Sequence, residues 1–247
     1  MNVLITGASK GLGLDFAKHL KSLGSNVLGV GRTPISKTLE RDVFTDYLEA
    51  DLSDRDSHSK LKEFVTDHSE SLDGLVNNVG RSGWKSLSAI DSHFIDEMFE
   101  INLKQVFFVT QIAVSCSPNL KSIVNIASLA GRRGSKNNSV YSASKFGVIG
   151  ITQSLAKELG PNGIRVNSIS PVLINTGGLS EALLGDDSPQ FGQSTSQFFS
   201  DFANTQSALG RLPTLTEVSK TVRFLLSDDS SGITGQNINV DCGVFPQ

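Results

Sequence analysis

Short apolar runs alternate with stretches of helical periodicity along almost the whole chain, and this alternation predicts the fold. Val3–Ile5 is an apolar, partly β-branched run typical of a buried strand. Similar runs predict strands at Asn26–Val30, Tyr47–Leu52, Leu72–Asn77, Ser122–Ile126, Arg165–Ile169 and Gln236–Val240. Helical periodicity covers Leu61–His68, Phe94–Cys116 (with an irregularity near Asn102), Ser142–Leu159 and Glu217–Leu226. We therefore predict an α/β protein with a doubly wound parallel sheet in a three-layer α/β/α arrangement.

Composition limits the classes of protein to which the chain can belong. The 247 residues show no change of composition that would mark a boundary, so we expect one domain over residues 1–247. A net charge of −3 without a long basic run argues against nucleic acid as a partner. Two cysteines are too few for a disulfide framework, and no cluster of His or Cys indicates a metal. With no apolar run that could span a bilayer and a first strand at residue 3, we expect no signal peptide, no membrane and a cytoplasmic protein.

A glycine-rich turn separates the first predicted strand from the first predicted helix. It reads Thr6-Gly7-Ala8-Ser9-Lys10-Gly11-Leu12-Gly13, with the spacing Gly-x-x-x-Gly-x-Gly. Glycines let the backbone approach a pyrophosphate closely, and a helix N-terminus offers free N–H groups and the positive end of its dipole. The order of strand, turn and helix therefore favours a Rossmann-type dinucleotide site over the alternative, a merely flexible turn.

A tyrosine and a lysine, Tyr141 and Lys145, are four residues apart in a predicted helix and so share one face. A phenol with a pKa near ~10 is a weak acid at neutral pH, and a nearby cation favours its ionised form. Ser128 lies shortly upstream and offers a hydroxyl that can hydrogen-bond a carbonyl oxygen as negative charge develops on it. Together the three residues predict a site that protonates an alkoxide formed by hydride delivery.

These motifs, taken in order, resemble the short-chain dehydrogenase/reductase family. The glycine-rich turn, Asn77-Asn78-Val79-Gly80, Ser128 and Tyr141-x-x-x-Lys145 all match its pattern. The match is to the single-domain branch that includes the 3-oxoacyl-(acyl carrier protein) reductases. It extends to Ile233–Gln236 and to Val240-Asp241, and so covers essentially the whole chain.

The resemblance implies specific roles for individual residues. The catalytic set is Asn102, Ser128, Tyr141 and Lys145, in which Asn102 holds a water of a proton relay that reaches Lys145. A polar residue on an exposed helix face is the alternative interpretation of Asn102. The cofactor set is Gly7, Ser9, Lys10, Gly11, Leu12, Gly13, Arg32, Asp51, Leu52, Asn78, Val79, Gly80, Tyr141, Lys145, Pro171, Ile174 and Thr176. Two departures from the family pattern are Val172, where the family has glycine after the proline, and Cys242, which we interpret as a small buried filler.

The residues after the second predicted strand indicate the form of the cofactor. NAD-selective folds place an acidic side chain there for the adenosine ribose, whereas this chain has Arg32 and no carboxylate. Arg32 and Lys10 can hold a 2′-phosphate, so we predict NADP(H), although both can also be ordinary surface charges. Asp51 resembles the family residue that meets the adenine amino group, and the alternative is a helix cap.

Residues 177–208 are where the family has its variable substrate loop, and the segment is long enough here to act as a lid or to contain short helices. Its phenylalanines either line a substrate pocket or anchor the lid; they are Phe191, Phe198, Phe199 and Phe202. A basic stretch lies between Ser128 and Tyr141 and either attracts a phosphorylated or carrier-bound substrate or is simply solvated; it consists of Arg132, Arg133 and Lys136.

The sequence thus favours an NADPH-dependent enzyme that reduces a ketone to a secondary alcohol, with a 3-oxoacyl thioester, free or carrier-bound, as the substrate. A keto-sugar or another polar metabolite is the alternative substrate. A non-catalytic dinucleotide sensor is the alternative class, but it would be expected to lack one of Ser128, Tyr141 and Lys145. By analogy with the family we expect a tetramer or dimer that pairs the long helices Phe94–Cys116 and Ser142–Leu159. The outer faces of these helices draw on Phe107, Phe108, Val148, Ile149 and Ile151.

Overall fold

A computed structural model describes residues 1–190 and 192–246, and within them seven strands form one parallel sheet. The strands are β1 (Asn2–Thr6), β2 (Asn26–Gly31), β3 (Asp46–Glu49), β4 (Gly74–Asn77), β5 (Ser122–Ile126), β6 (Arg165–Pro171) and β7 (Asn237–Val240). The helices are α1 (Gly11–Ser22), α2 (Lys37–Val43), α3 (Arg55–Asp67), α4 (Ser92–Phe99), α5 (Gln105–Cys116), α6 (Ser139–Leu159), α7 (Gly177–Leu183), α8 (Thr195–Gln206) and α9 (Leu215–Leu226). A π-helical turn, Glu100–Lys104, joins α4 to α5.

The order of the strands creates the place at which a ligand can bind. Across the sheet the order is β3-β2-β1-β4-β5-β6-β7, and each neighbouring pair is parallel. The winding direction reverses between β1 and β4, where the loops after the two strands leave in opposite directions and open a crevice. The predicted doubly wound α/β sheet is confirmed.

Alternating side chains of the strands build two apolar layers. In β1, Val3 and Ile5 pack in the same cluster as Phe16 of α1. Leu4 points to the other face and packs in the same cluster as Val109 of α5. All five side chains are essentially inaccessible to solvent. Burial on both faces explains why the central strands read as continuous apolar runs in the sequence.

Several element boundaries differ from the predicted ones. Helix α3 begins six residues before the predicted Leu61 because the Asp54 carboxylate accepts a hydrogen bond from the Asp56 N–H (3.1 Å) and caps the helix. The predicted third strand ends at Glu49 rather than at Leu52. The segment 177–208 contains α7 and α8, so it is largely helical. Phe191 lies outside the described residues.

Only some of the apolar residues predicted for the outer faces of α5 and α6 are exposed to solvent. Phe107 and Phe108 are exposed, whereas Val148, Ile149 and Ile151 are buried against the body of the protein. Within residues 1–190 and 192–246, no helix combines the length and the apolar character needed to cross a membrane.

Candidate active site

A cleft of about 1720 Å³ opens at the carboxyl ends of the strands, where their order reverses. Seventeen of the predicted site residues line it, namely Gly7, Ser9, Lys10, Gly11, Leu12, Arg32, Asp51, Leu52, Asn78, Val79, Gly80, Ser128, Tyr141, Lys145, Pro171, Ile174 and Thr176. Gly13 and Asn102 are buried instead. The structure therefore brings residues from the ends of six strands, β1 to β6, to one surface.

The glycine-rich turn is shaped by steric requirements that only glycine meets. Gly7 and Gly11 adopt φ values of +65° and +57°, a region that side chains disfavour. A Cβ on Gly7 would lie 2.9 Å from the Asn78 Nδ2 atom, and a Cβ on Gly13 would overlap the Gly7 carbonyl oxygen. Gly13 thus acts by packing within the turn rather than by lining the cleft.

The same turn leaves the start of helix α1 open towards the cleft. Lys10 occupies the cap position in an extended conformation, and the helix begins at Gly11. Free N–H groups at a helix start, beside glycines that have no Cβ, make a cradle for an anionic group. The residues present therefore fit the pyrophosphate of a dinucleotide.

Asn78 ties the end of β4 to this turn. Its Nδ2 atom donates to the carbonyl oxygens of Thr6 (3.0 Å) and Gly7 (3.2 Å), and its N–H donates to the Thr6 Oγ1 atom (3.0 Å). The following Val79 and Gly80 run along the floor of the cleft. The predicted contact of this stretch with a cofactor is thus compatible with the geometry, and Asn78 additionally has a structural role.

The end of the cleft at β2 and β3 carries the charged groups. Arg32 is exposed, and its Nη1 atom lies 3.8 Å from the Asp51 Oδ2 atom. Burial acts to raise the pKa of Asp51, but hydrogen bonds from Ser53 and the charge of Arg32 together hold it below its ordinary value. The interpretation of Asp51 as a helix cap is wrong, because Asp54 caps α3.

Ser128, Tyr141 and Lys145 meet at the other end of the cleft. Ser128 follows β5 and begins a 3₁₀ turn, in which its Oγ atom accepts from the Ala130 N–H (3.1 Å). Tyr141 and Lys145 lie on successive turns of α6, with the Lys145 Nζ atom 5.9 Å from the centre of the Tyr141 ring. The Nζ atom donates to the Ile126 carbonyl oxygen (2.9 Å), which fixes the lysine beside the end of β5.

Burial dominates the protonation of this pair. Burial raises the pKa of Tyr141, and a hydrogen bond with Ser128 opposes the shift only in part. Burial also lowers the pKa of Lys145 to about 8. Burial thus sets the net direction of the shift in the Tyr141 pKa, and the expected lowering of that pKa by Lys145 stays a prediction.

Asn102 lies inside the π-helical turn and is fully buried, so its interpretation as an exposed polar residue is wrong. Its Oδ1 atom accepts from the Arg81 N–H (2.8 Å), and its Nδ2 atom donates to the Arg81 carbonyl oxygen (2.9 Å) and to the Ser144 Oγ atom (3.1 Å). The side chain thus fixes the loop after β4 to helix α6. A Cβ on Gly80 would lie 3.2 Å from the Lys145 Nζ atom and 3.3 Å from the Asn102 Oδ1 atom, which shows how closely these groups converge.

The segment after β6 closes the cleft from the opposite side. The N–H of Val172 donates to the Val240 carbonyl oxygen (3.4 Å), so valine continues the pairing where the family has glycine. Ile174 is buried in the core. Thr176 caps α7 by accepting from the Leu179 N–H (3.3 Å), and its methyl group would lie 3.8 Å from a Cβ on Gly11.

A latch over the mouth of the cleft has no signal in the sequence. Asp187, between α7 and α8, accepts from the Ser86 N–H (2.9 Å) through its Oδ2 atom, and Asn137 donates to the Asp187 carbonyl oxygen (3.1 Å). Asn137 itself has a φ of +59°, and its backbone carbonyl oxygen accepts from the Lys85 N–H (2.7 Å). Three segments far apart in the chain therefore meet at one aspartate, and such a meeting cannot be read from local patterns.

The sequence left open the role of the basic stretch after Ser128 and the role of the phenylalanines in residues 177–208. Some residues of both groups line the cleft. Arg133 and Lys136 do so, and the Arg133 guanidinium carbon lies 5.9 Å from the centre of the Phe245 ring. Phe198 and Phe202 also line the cleft, with ring centres 6.1 Å apart. Cys242 is only partly buried, with a φ of +55°, so it is not a core filler.

Comparisons with known proteins agree with this arrangement. A family model described as enoyl-(acyl carrier protein) reductase matches residues 7–245. A putative ketoacyl reductase of the monensin polyketide synthase from Streptomyces virginiae is 33% identical, over 97% of this chain and 95% of the relative. The 3-oxoacyl-[acyl-carrier-protein] reductase FabG from Staphylococcus aureus is 31% identical, over 99% and 98% of the two chains. Among solved structures, an actinorhodin polyketide ketoreductase crystallised with NADPH superimposes with a TM-score of 0.90 at 29% identity, over 100% of this chain and 97% of the other.

Proposed function

Because the chain belongs to the short-chain dehydrogenase/reductase family, we propose that this oxidoreductase reduces a ketone to a secondary alcohol with NADPH. The observation that carries the proposal is the meeting of Ser128, Tyr141 and Lys145 in the cleft that also contains the glycine cradle. A dinucleotide sensor would need the cradle but not these three side chains.

Charge at the far end of the cleft supports NADPH rather than NADH. Arg32 and Lys10 line the cleft, and the strand β2 ends in Gly31, where an NAD-selective fold would have an acidic side chain. A guanidinium matches the geometry of a phosphate through paired N–H donors. The similarity to a ketoreductase crystallised with NADPH points the same way.

The bound cofactor supplies a hydride to the carbonyl carbon of the substrate. Ser128 donates a hydrogen bond to the carbonyl oxygen as negative charge develops there. Tyr141 then gives its phenolic proton to that oxygen. Burial raises the pKa of Tyr141, so the phenol is protonated at neutral pH and has a proton to give once negative charge develops on the substrate oxygen.

Lys145 and Asn102 restore the active site after the proton is given. Lys145, with a pKa of about 8, is close to the range in which an amine gives and takes protons in a neutral solution. Its further proposed role is to hold the nicotinamide ribose, which its place in the lining of the cleft supports. Asn102 orders the loop after β4 next to Lys145 and belongs to the proposed proton relay.

The proposed substrate is a 3-oxoacyl thioester, free or attached to a carrier protein. Two relatives with ketoacyl or oxoacyl reductase names support this class. Arg133 and Lys136 line the cleft and offer cationic groups that suit a phosphorylated arm or an acidic carrier. The exposed Phe107, Phe108 and Phe146 on α5 and α6 support a homo-oligomer.

The experiment that tests the proposal is NADPH oxidation with a 3-oxoacyl thioester and with a nucleotide-linked keto-sugar, each repeated with NADH. We expect turnover of the thioester with NADPH. Turnover of the sugar alone would move the protein to carbohydrate metabolism. Tight NADPH binding without reduction of any ketone would favour the sensor.

A further inference from the structure

A tyrosine on the edge strand β3 lies beside the predicted 2′-phosphate site, although no sequence motif singles it out. Tyr47 pairs in register with Gly29 of β2, and its side chain lies along that strand. A Cβ on Gly29 would lie 2.7 Å from the Tyr47 Cδ2 atom, and a Cβ on Gly31 would lie 2.5 Å from the Tyr47 hydroxyl oxygen. The ring therefore occupies the slot that two missing side chains leave on one face of β2.

The far end of the ring contacts the two loops that face the adenosine end of the cleft. The Tyr47 hydroxyl donates to the Thr33 carbonyl oxygen (2.8 Å). Ser9, in the glycine-rich turn, has its Oγ atom 3.2 Å from the position of a Cβ on Gly31. Burial raises the pKa of Tyr47 and outweighs a hydrogen bond with Ser9, so the phenol stays protonated and available as the donor to Thr33.

Position 31 is the end of β2, the place where NAD-selective folds have an acidic residue. Any side chain there begins with a Cβ, and backbone pairing of Gly31 with Glu49 of β3 holds that Cβ direction in place. A contact of 2.5 Å between a carbon and a hydroxyl oxygen is too short to persist. An acidic residue at position 31 is therefore incompatible with Tyr47 in its present place.

We propose that Tyr47 is a specificity-determining residue, which keeps an acidic side chain out of position 31 and braces the Arg32–Thr33 turn for a 2′-phosphate. The inference rests on the proposed NADPH-dependent function and deepens it. The ring acts by exclusion, and the hydroxyl acts by fixing the turn that carries Arg32. In the present chain only the fixing of the turn acts on affinity, and it favours NADPH over NADH; the exclusion limits which residues position 31 can accept.

Binding measurements on four variants test the two effects separately, with isothermal titration calorimetry of NADPH, NADH, adenosine 2′,5′-bisphosphate and 5′-AMP. Tyr47→Phe keeps the ring and removes the hydroxyl. We expect it to weaken NADPH and the bisphosphate by about three- to tenfold, the range for one lost hydrogen bond, and to leave NADH and 5′-AMP unchanged. Phe44→Leu is the control, because Phe44 packs on the same ring (centres 5.3 Å apart) and against Gly29. Phe44→Leu should lower the stability of the protein but leave the ratio of the NADPH and NADH affinities unchanged.

The exclusion effect is tested by Gly31→Asp alone and together with Tyr47→Val. We expect Gly31→Asp alone to lower the affinity for both dinucleotides and the melting temperature. Adding Tyr47→Val should restore stability and shift preference towards NADH by at least about tenfold relative to the single variant, since the carboxylate then has room to meet the ribose.

The possible failures can be told apart. If the wild-type chain binds neither dinucleotide, the proposed function fails and this inference with it. If the wild type prefers NADPH but Tyr47→Phe leaves that preference unchanged, and Gly31→Asp gains NADH affinity at full stability with Tyr47 in place, only the role of Tyr47 is refuted.

Discussion

At the scale of single residues, burial sets the protonation state of the two groups on which the proposed chemistry depends. Tyr141 is held as the neutral phenol, and Lys145 has a pKa of about 8 because its amine is almost inaccessible to water. The same loss of solvation keeps the Tyr141 phenol protonated, although it makes the phenol a weaker acid, and it brings Lys145 closer to exchanging its proton near neutral pH.

Replacing Tyr141 with phenylalanine removes the proposed proton donor and little else. We expect Tyr141→Phe to lower kcat for ketone reduction by about 10²- to 10⁴-fold, the usual contribution of a positioned acid, and to leave the dissociation constant of NADPH within about threefold. Steady-state kinetics and calorimetry on the same preparation measure both values. A kcat close to that of the wild type would show that another group gives the proton.

Replacing Lys145 with methionine tests the depressed pKa through stability. In the folded chain the lysine loses its proton near pH 8, whereas in the unfolded chain it does so at its ordinary value of 10.5. Between these values the unfolded state binds more protons, so wild-type stability rises with pH. Relative to Lys145→Met, we expect the free energy of unfolding of the wild type to rise by up to about 3 kcal/mol between pH 8 and pH 10.5. Urea denaturation at several pH values measures this difference.

Lys157→Met is the matched control for this pH dependence. Lys157 lies on the same helix but is exposed, so its removal should not produce the trend. A difference between the wild type and Lys145→Met that stays constant from pH 7 to 10.5 would show that the buried lysine keeps its ordinary titration.

Single-residue roles were predictable from the sequence where a spacing carries the chemistry. The i,i+4 relation of Tyr141 and Lys145 follows from helix geometry alone. The direction of the Tyr141 pKa shift did not follow, because it depends on how much of the surrounding protein excludes water. The buried state of Asn102 was likewise hidden, since its partners at Arg81 and Ser144 are distant in the sequence.

At the scale of elements, the π-helical turn Glu100–Lys104 is the irregularity that places Asn102. The extra residue in the turn rotates the helix, and functional sites are frequent at such turns. Here the turn is fixed by the paired hydrogen bonds between the Asn102 side chain and both backbone groups of Arg81.

We expect Asn102→Ala to lower the free energy of unfolding by roughly 1–3 kcal/mol, because it leaves the Arg81 backbone groups without these partners. Chemical denaturation measures the loss. Asn119→Ala is the control: Asn119 also donates to a backbone carbonyl, that of Glu70 (2.8 Å), but it is exposed, so its loss should be smaller. Equal losses at the two positions would argue against a clamp at Asn102.

The connection between α7 and α8 is held over the cleft by Asp187. We expect Asp187→Ala to raise KM for the ketone by about three- to tenfold, because the latch to Ser86 and Asn137 is lost, while the NADPH affinity stays unchanged. Asp201→Ala, a change at an aspartate of α8 that does not line the cleft and accepts from the Gln197 side chain (2.8 Å), should leave KM unaltered. If both variants have wild-type KM values, the latch has no part in substrate binding.

Elements were predictable where periodicity is strong, as in β1 and α6, and less so where capping or tertiary contacts set their limits. The start of α3 required recognition of Asp54 as the cap. The helices α7 and α8 were foreseen only as a possibility, since the polar stretch around Asp186 obscures their periodicity.

At the scale of the whole molecule, the reversal of strand order between β1 and β4 explains why one cleft holds both the glycine cradle and the catalytic side chains. The alternation of strands and helices was sufficient to predict this architecture. It was not sufficient to predict the contact of Tyr47 with Gly31, because that contact depends on which strand lies beside β2 and in which register.

A deuterium label on C4 of the nicotinamide of NADPH tests whether the cleft performs the proposed reaction, because the hydride comes from this carbon. The measurement is mass spectrometry of the alcohol formed from a 3-oxoacyl thioester, with both C4 epimers of the labelled cofactor and a sample without enzyme. We expect one epimer to place deuterium on the carbinol carbon of the product. An absence of labelled alcohol with both epimers, in a protein that binds NADPH, would refute hydride transfer to this ketone class in the cleft.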